Sequence, residues 1–388
     1  MVYYIRFLKP PKFHQEKDKK NPKQSRPQQK KTVFIAALIC ITTDLGDDFL
    51  AEDVDLVATW EQRSSRQSMD QCALKWQAGC RQVSISMGPY SVDHVAQHEA
   101  VLHIRPQAIQ VPQDVLGIES TPLVISGCSA PFQWHAQSPK PAEKLIKREL
   151  RITDSDPALS LNIWEETGNS IARHIWDAAL ASIIFLNEII TGASTSTVTS
   201  SGSGTETETG SISIPILSQL LKPLSRSKPL QVVELGAGCG IVGIGLATML
   251  DGCKVLLTDL PEVEEIVMRN LDEAHLKPSS TVDFQTLDWD APPSNLCSQP
   301  IDLILVSDCT YNADSLPSLV SVLGRLVRTS PEALVLVALK RRHESEGVFF
   351  DLMRSAGFKA QHTSIELPTQ HEQRDEIEFY CYRADERE

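Results

Sequence analysis

The strongest constraint on the fold of this chain lies in residues 232–240, which read Val-Val-Glu-Leu-Gly-Ala-Gly-Cys-Gly. An apolar segment enters a glycine-rich turn, and a second apolar segment with helical spacing follows. Glycine tolerates positive φ and lets the backbone approach a ligand closely, while the amino terminus of a helix offers free N–H groups. The run therefore predicts a strand, a turn at Gly236, Gly238 and Gly240, and a helix, which together bind a nucleotide or nucleoside.

A carboxylate follows the next predicted strand. Asp259 stands 23 positions after Gly236, where it can accept hydrogen bonds from both hydroxyls of a ribose. Residues 238–243 also satisfy the dinucleotide pattern G-x-G-x-x-G, which is a weak signal by itself. Glu234 precedes the turn glycines by two positions and is placed to hold a positively charged amino-acid group rather than a pyrophosphate. S-adenosylmethionine is therefore the expected cofactor, with NAD as the alternative.

An acid and an indole end the third predicted strand of this region. Asp288 can hydrogen-bond an adenine amine, and Trp289 can cover the adenine ring. Gly243 and Gly245, inside the predicted helix, are expected to allow that helix to pack closely. No cysteine or histidine pattern with metal-ligand spacing accompanies these residues, so no metal is expected.

Beyond residue 230, apolar strand-like runs alternate with helix-like ones. Such alternation with unbroken apolar strands predicts the α/β class and a sheet covered on both faces. We expect a doubly wound, mostly parallel, seven-stranded Rossmann-like sheet whose last two strands form an antiparallel addition. The predicted strands are 230–235, 254–258, 281–287, 302–307, 333–338, 359–366 and 376–383, and the predicted helices are 240–250, 262–274, 316–328 and 346–356.

The amino-terminal part of the chain has a different character. Residues 1–31 hold ten Lys/Arg and two Asp/Glu among Pro, Gln and Asn, which predicts a basic, disordered tail with a role in docking or location. Residues 32–150 contain short β-like runs separated by Gly, Pro and Ser, which predict a small β-rich accessory region. The predicted strands there are 33–43, 53–59, 82–87, 100–104 and 122–126.

Two segments precede the glycine-rich turn. Residues 166–190 have apolar residues at helical spacing, which predicts a helix with Trp176 near its centre. Residues 191–211 are almost entirely Ser, Thr, Gly and Ala, which predicts a disordered insertion.

Charge and cysteine content exclude several functions. The net charge of −13 argues against a general binder of nucleic-acid backbones. No apolar run reaches the length of about 18 residues that a membrane helix needs. The nine cysteines form no Cys-x-x-Cys pair, as expected of a reduced, intracellular chain. We expect a cytoplasmic monomer, with the nucleus as a second location and no specific nucleic-acid or membrane partner.

Five motifs in order resemble the seven-β-strand protein-lysine methyltransferases of the methyltransferase-like 21 group. The resemblance covers residues 160–385 and implies a protein-lysine methyltransferase whose substrate, as in that family, is a chaperone or a translation factor. The Ser/Thr-rich insertion, the long amino-terminal region and Asp290, where the family often has glycine, depart from the family pattern. The motifs are residues 234–243, 258–261, 287–289 and 307–311, and Gly168 with residues 174–179.

The resemblance also implies the site residues. Asp308 and Tyr311 match the family's Asp-x-x-Tyr signature, Trp176 matches a tryptophan that lies over the cofactor, and Leu260 and Ser307 fall within the matched cofactor motifs. Methyl transfer from a sulfonium requires a neutral nucleophile held in line with the methyl group. Asp308 and Tyr311 are placed to orient that amine, and whether Asp308 also takes its proton stays open.

Alternatives remain at this level. The acceptor could be another protein residue or a small amine, the chain could be an NAD-dependent oxidoreductase, or it could be an inactive interaction module. Residues 340–342, Lys-Arg-Arg, form either a positive patch near the site or a solvated edge.

Overall fold

The computed structural model divides into two compact units. The first comprises residues 1–114, 122–149 and 163–174, and the second comprises residues 115–121, 150–162 and 175–388. The residues described are 2–15, 32–108, 113–135, 140–153, 156, 158–168, 170–192, 214–222, 228–293, 299–343, 346–369 and 375–385.

The second unit is built on a seven-stranded sheet. Its strands are β12 (Leu230–Leu235), β13 (Cys253–Asp259), β14 (Thr281–Thr286), β15 (Leu303–Ser307), β16 (Leu334–Lys340), β17 (Phe358–Leu367) and β18 (Asp375–Ala384). Their order across the sheet is β14-β13-β12-β15-β16-β18-β17. The pairs from β14 to β16 are parallel, whereas β18 runs antiparallel to both of its neighbours.

Helices pack on both faces of this sheet. They are α2 (Asp177–Thr191), α3 (Pro215–Leu221), α4 (Ile241–Met249), α5 (Glu264–Asp272), α6 (Leu316–Thr329) and α7 (Gly347–Ser355), with a short 3-10 helix at Pro261–Val263. Alternate residues of a strand point to opposite faces. Val233 and Leu235 thus join the apolar cluster formed with α6 and α7, while Glu234 between them faces α4.

The α/β prediction is confirmed in this unit, and so is the antiparallel addition of the last two strands. Each of the seven strands and four helices predicted beyond residue 230 is present, with ends that differ by at most a few residues. The signal was strongest for β12, β15 and β16, whose residues are almost all buried and therefore apolar, whereas β14 and β17 contain many exposed residues.

The helix predicted at 166–190 is shorter in the structure. Residues 160–166 form a strand, a 3-10 turn spans Ile171–Arg173, and α2 starts only at Asp177. Trp176 has φ −102° and ψ 152°, so it is the extended residue that precedes the helix rather than its centre. The prediction was wrong at this end because Ile171, counted on the apolar face, is 55% exposed.

Helix α2 is a core helix. The stretch Ile171–Thr191 is long and apolar enough to cross a membrane by length and hydropathy, yet 72% of its most apolar window is buried within the protein. The buried side chains of α2 include Phe185, whose ring stacks on Phe379 of β18 at 4.3 Å between centroids. Packing against the sheet thus explains the apolar composition of this helix.

The first unit is rich in strands. Its four-stranded sheet has the order β5-β2-β1-β8, and a second sheet has the order β11-β10-β9-β6-β3-β4 with β7 beside β10. A short helix, α1 (Val92–Val95), follows β5. The strands are β1 (Tyr3–Gln15), β2 (Thr32–Thr42), β3 (Val54–Gln62), β4 (Ser68–Trp76), β5 (Val83–Ser91), β6 (Ala100–Pro106), β7 (Asp114–Val115), β8 (Val124–Ile125), β9 (Gly127–Ser129), β10 (Leu145–Arg151) and β11 (Ser160–Glu166).

The prediction of a disordered tail over residues 1–31 is wrong for its first half. Strand β1 pairs with β2 and β8 and lies inside the core of this unit. Phe13 is fully buried against the rings of Trp60 and Phe132. The composition of residues 1–31 taken together did not reveal this strand, because most of the basic residues lie at 17–31. That second half, from residue 16, lies outside the described residues, as does the predicted insertion at 191–211 apart from Thr191 and Gly192.

The close packing of α4 on the sheet generates a prediction. A methyl group on Gly243 would meet Glu234 Oε2 at 2.6 Å, Val255 Cγ1 at 2.8 Å and a methyl of Leu257. Gly243→Ala should therefore lower the free energy of unfolding by about 1–3 kcal/mol, because overpacking outweighs the better helix propensity of alanine. Urea denaturation measures this change. The matched control is Gly347→Ala in α7, where nothing lies within 4 Å; an equal loss in both variants would contradict the packing explanation.

Candidate active site

The site lies at the carboxyl ends of the central parallel strands. In register, Leu235 of β12 is paired with both Thr258 of β13 and Val306 of β15. Asp259 is paired in turn with Thr286 of β14. Residues that follow these positions therefore emerge at one edge of the sheet, where open α/β sheets bind ligands.

The glycine-rich turn has the conformation that its composition predicts. Gly236, Gly238 and Gly240 have φ of 69°, 55° and 77°, a region that costs other residues energy. A Cβ on Gly236 would collide with Cys309 Sγ and would lie 3.3 Å from the ring of Trp289. Glycine is therefore required at position 236 both by its positive φ and by the close packing of Cys309 and Trp289 against the turn.

Two side chains hold this turn in place. Asp259 accepts a 2.8 Å hydrogen bond from Gly238 N through Oδ2 and a 2.7 Å bond from Leu260 N through Oδ1. Burial raises the pKa of Asp259. Asn270 of α5 donates from Nδ2 to the carbonyl of Cys239 at 2.8 Å. Asp259 therefore stands beside the turn, with its carboxylate directed at the loop that the sequence assigns to the cofactor.

Glu234 lies beneath the turn rather than exposed within it. The residue is 1% exposed, and its Oε2 accepts a 2.7 Å hydrogen bond from Gly243 N in the first turn of α4. Burial, opposed by this hydrogen bond, raises the pKa of Glu234 to about 8. This buried carboxyl group attaches α4 to β12 through the bond to Gly243 N.

The remaining predicted cofactor residues lie around this edge. Trp289 is partly buried beside Gly236, whereas Asp288 is exposed and accepts a 2.9 Å hydrogen bond from Asp290 N. Leu260 is 40% exposed. Ser307 Oγ is buried and has no hydrogen-bond partner among the described residues, so it is a polar atom without a protein partner at the end of β15.

Asp308 is held in an unusual backbone conformation. Its φ is 54°, and within the described part of the chain only Arg66 shares a positive φ among non-glycine residues. The Asp308 carboxylate accepts two 2.8 Å hydrogen bonds from Arg342, one to each oxygen. Strained residues of this kind concentrate at functional sites.

Arg342 connects Asp308 with Trp176. The guanidinium carbon lies 5.3 Å from the centre of the Trp176 ring, within cation–π range. Tyr311, three positions after Asp308, is 58% exposed, and partial desolvation together with nearby acidic groups raises its pKa. The structure therefore brings Asp308 and Trp176 together around one cation and leaves Tyr311 at the surface of the same loop.

The basic run 340–342 is neither a solvated edge nor a free positive patch. Lys340 is 5% exposed and donates to Asp177 at 2.8 Å, which ties β16 to the start of α2. Arg341 forms a two-bond ion pair with Glu378 of β18. Since Arg342 pairs with Asp308, every member of the run has a carboxylate partner.

Glu346 fixes the loop that carries Arg342. Its Oε1 accepts from the backbone N–H groups of Arg342 and His343 at 3.0 and 3.1 Å, and its Oε2 lies 3.4 Å from Thr310 Oγ1. Glu346 is 3% exposed. This buried carboxylate joins the loop after β16 to the segment that follows Asp308.

Sequence reasoning missed Asn270 and Glu346, and it named Arg342 only as a member of the basic run 340–342. Asn270 carried a usable signal, because it stands three and four positions after Val267 and Ile266 on the buried face of α5. No sequence signal pointed to the bond between Arg342 and Asp308 or to that between Glu346 and Thr310. These partners are 34 and 36 positions apart, and only the folded sheet brings them together.

These residues fit S-adenosylmethionine. The glycine-rich turn has positive φ at three glycines, Asp259 is hydrogen-bonded beside it, and the buried Ser307 Oγ offers an unused polar group at the same edge. The fold and this site define the class of nucleoside-binding α/β enzymes, and the Asp308-x-x-Tyr311 segment beside the turn is suited to transfer of a group to an amine.

Comparison with known proteins identifies the family. A family model described as lysine methyltransferase matches residues 155–356, just over half of the chain. The chain belongs to this lysine methyltransferase family. Its cofactor is S-adenosylmethionine, and the family reaction methylates a lysine of a protein. The resemblance to the methyltransferase-like 21 group is thereby confirmed.

Three relatives show how far the likeness extends. The UPF0665 family protein C23C4.06c of Schizosaccharomyces pombe is 23% identical over 89% of this chain and 91% of its own length. EEF1A lysine methyltransferase 3 of Mus musculus is 34% identical over 41% of this chain and 62% of its length. Protein N-lysine methyltransferase METTL21A of Mus musculus is 32% identical over 31% of this chain and 54% of its own length. The chain thus spans less than two thirds of the two relatives named as methyltransferases, whereas the fission-yeast match covers nearly its whole length.

The buried carboxyl group of Glu234 predicts a pH dependence of stability. Its pKa is raised in the folded state from the ordinary 4.5 to about 8, so the folded protein binds more protons than the unfolded chain. The resulting stability is fully present below about pH 4.5 and is lost as the pH rises through about 8. Glu234→Gln should therefore flatten the fall in Tm between those pH values. Differential scanning fluorimetry across the range tests this, with exposed Asp283→Asn as the control; an unchanged slope in Glu234→Gln would contradict the prediction.

Proposed function

We propose that residues 160–385 form a doubly wound Rossmann-like domain that uses S-adenosylmethionine to methylate the ε-amine of a lysine on a protein. The proposal rests on a contact between the segment that carries Asp308 and the glycine-rich turn. Cys309, which follows Asp308, places its Sγ 3.6 Å from the carbonyl of Gly236. The acceptor segment and the cofactor turn therefore touch, as direct transfer between two bound groups requires.

The cofactor would be held by residues around the glycine-rich turn. Asp259 has lone pairs for ribose hydroxyls, Trp289 offers a ring face to adenine, and Ser307 offers an unused hydroxyl. Glu234 contributes indirectly by fixing α4. When bound, S-adenosylmethionine supplies an electrophilic methyl group on a sulfonium. The full proposed set is Trp176, Glu234, Gly236, Gly238, Gly240, Asp259, Leu260, Asp288, Trp289 and Ser307.

Asp308 and Tyr311 would orient the acceptor amine. The carboxylate of Asp308 is already fixed by its positive φ and its ion pair. A carboxylate that pairs with a cation, whether the guanidinium of Arg342 or the ammonium of a bound lysine, is a strong hydrogen-bond acceptor. We therefore assign Asp308 a positioning role. Trp176 and Tyr311 contribute ring faces, the Tyr311 hydroxyl contributes a hydrogen bond that orients the amine, and water takes the proton.

The substrate is proposed to be a translation factor in the cytoplasm. The support is the name of the mouse relative, which specifies EEF1A as the protein on which that relative acts. We treat the chain as a monomer with neither a nucleic-acid nor a membrane partner.

Substitutions distinguish the residues that orient the acceptor amine from those that bind the cofactor. Asp308→Asn and Tyr311→Phe should each lower kcat at least about 100-fold because the amine loses its orientation, while affinity for S-adenosylmethionine stays within about twofold. Asp259→Asn should instead weaken cofactor affinity at least about tenfold, since a pair of hydrogen bonds to a carboxylate is lost. Isothermal titration and single-turnover methylation give the two quantities.

The matched control is Asp314→Asn, an exposed carboxyl in the same loop as Tyr311. It should retain full activity. If Asp308→Asn and Tyr311→Phe both methylate at the unaltered rate, the assignment of the acceptor site is wrong.

The acceptor itself can be identified directly. Incubation of the protein with labelled S-adenosylmethionine and a cell extract, followed by mass spectrometry, should place the label on lysine of one or a few proteins. The Asp259→Asn variant serves as the unlabelled control. Label confined to another residue type, or to small amines, would contradict the proposal.

A further inference from the structure

Arg342 occupies the position that a substrate cation needs. Its guanidinium donates one 2.8 Å bond to each oxygen of Asp308 and lies over the ring of Trp176. A carboxylate and an aromatic face are the two groups that recognise an alkylammonium ion. In the proposed function both belong to the acceptor site, and in this structure both are engaged by a cation of the chain itself.

A second cation cannot share this position without cost. The Asp308 side chain is only 4% exposed, so its charge is weakly screened by water. A lysine ammonium that approached the same carboxylate would meet the guanidinium at close range, and like charges repel strongly in a partly buried site. Either Arg342 moves or the acceptor binds weakly.

The geometry allows the side chain to move while the backbone stays fixed. The Arg342 side chain is 20% exposed, whereas the Asp308 side chain is almost inaccessible. The backbone N–H of Arg342 is held by Glu346, whose carboxylate is buried. Rotation of this side chain toward solvent would give up a long, 3.4 Å bond from Arg342 Nη1 to the carbonyl of Lys340 and would uncover Asp308 and Trp176, while the backbone bond to Glu346 stays in place.

We propose that Arg342 is a specificity-determining residue of the acceptor site: it occupies the cation position until a lysine displaces it. The inference rests on the proposed function. An extended protein substrate has binding energy from other contacts to offset the displacement, whereas a free amine has only its ammonium group. Arg342 thus excludes small amines and admits lysine only as part of a protein.

The test replaces Arg342 by alanine and then adds free guanidinium, which reproduces the missing head group. Arg342→Ala should bind n-butylammonium, in the presence of S-adenosylhomocysteine, about 10- to 100-fold more tightly than the unaltered protein, the range expected for releasing a charge-assisted pair. It should also methylate Nα-acetyl-lysine methylamide with a correspondingly lower KM. Added guanidinium chloride at millimolar concentration should inhibit Arg342→Ala and leave the unaltered protein unaffected.

Opposite results would overturn the inference. If Arg342 instead positions Asp308 productively, Arg342→Ala loses kcat and guanidinium restores it. Equal n-butylammonium affinity in the two proteins would also reject the inference, even if neither methylates the small amine. Arg342→Gln removes the charge but keeps a polar side chain with the same first three carbons, so it guards against misfolding of the alanine variant and should show the same direction of change.

Arg341→Ala is the matched control. Arg341 also pairs with a carboxylate through two bonds and lies over an aromatic ring, Phe350, at 5.0 Å, but away from Asp308. Its removal should leave ammonium affinity unchanged. Failure of the proposed function would appear separately, as absence of methylation or of cofactor binding in the unaltered protein, because cation binding is measured without turnover.

Discussion

The backbone ladder that β12 forms with β13 on one side and β15 on the other is the interaction on which the site depends. Leu235 is paired with both Thr258 and Val306, so the residue after each strand emerges at the same level. Gly236 N and Ala237 N then both donate to the carbonyl of Thr258, which starts the turn. A slip of one residue in any of these strands would turn its side chains to the opposite face and scatter the site.

Each acidic group of the site has a local partner or is buried. Asp259 is bonded to backbone N–H groups, Glu234 is buried with a raised pKa, and Asp308 is paired with Arg342. In the proposed acceptor site, the local partner of each carboxylate therefore bears more directly on binding of a cation at short range than the net charge of −13 does.

The amino-terminal unit shows where composition misleads. Residues 3–15 include basic residues like the segment that follows, yet all of residues 3–7 are buried in a sheet. Burial depends on the residue pattern within the strand and on the partners β2 and β8, not on charge averaged over a window. The fission-yeast relative matches nearly the whole chain, so this unit is part of what the two proteins share.

The sequence by itself determined the α/β class, the glycine-rich turn, and Asp259 as the acid beside that turn, because each depends on local periodicity or on the φ that glycine alone adopts freely. Only the tertiary structure decided which polar and charged side chains are paired within the core and the site. Arg342 with Asp308, Lys340 with Asp177 and Asn270 with Cys239 join residues 31 to 163 positions apart. Sequence spacing carries no information about such pairs, since the sheet order, and not the chain order, makes them neighbours.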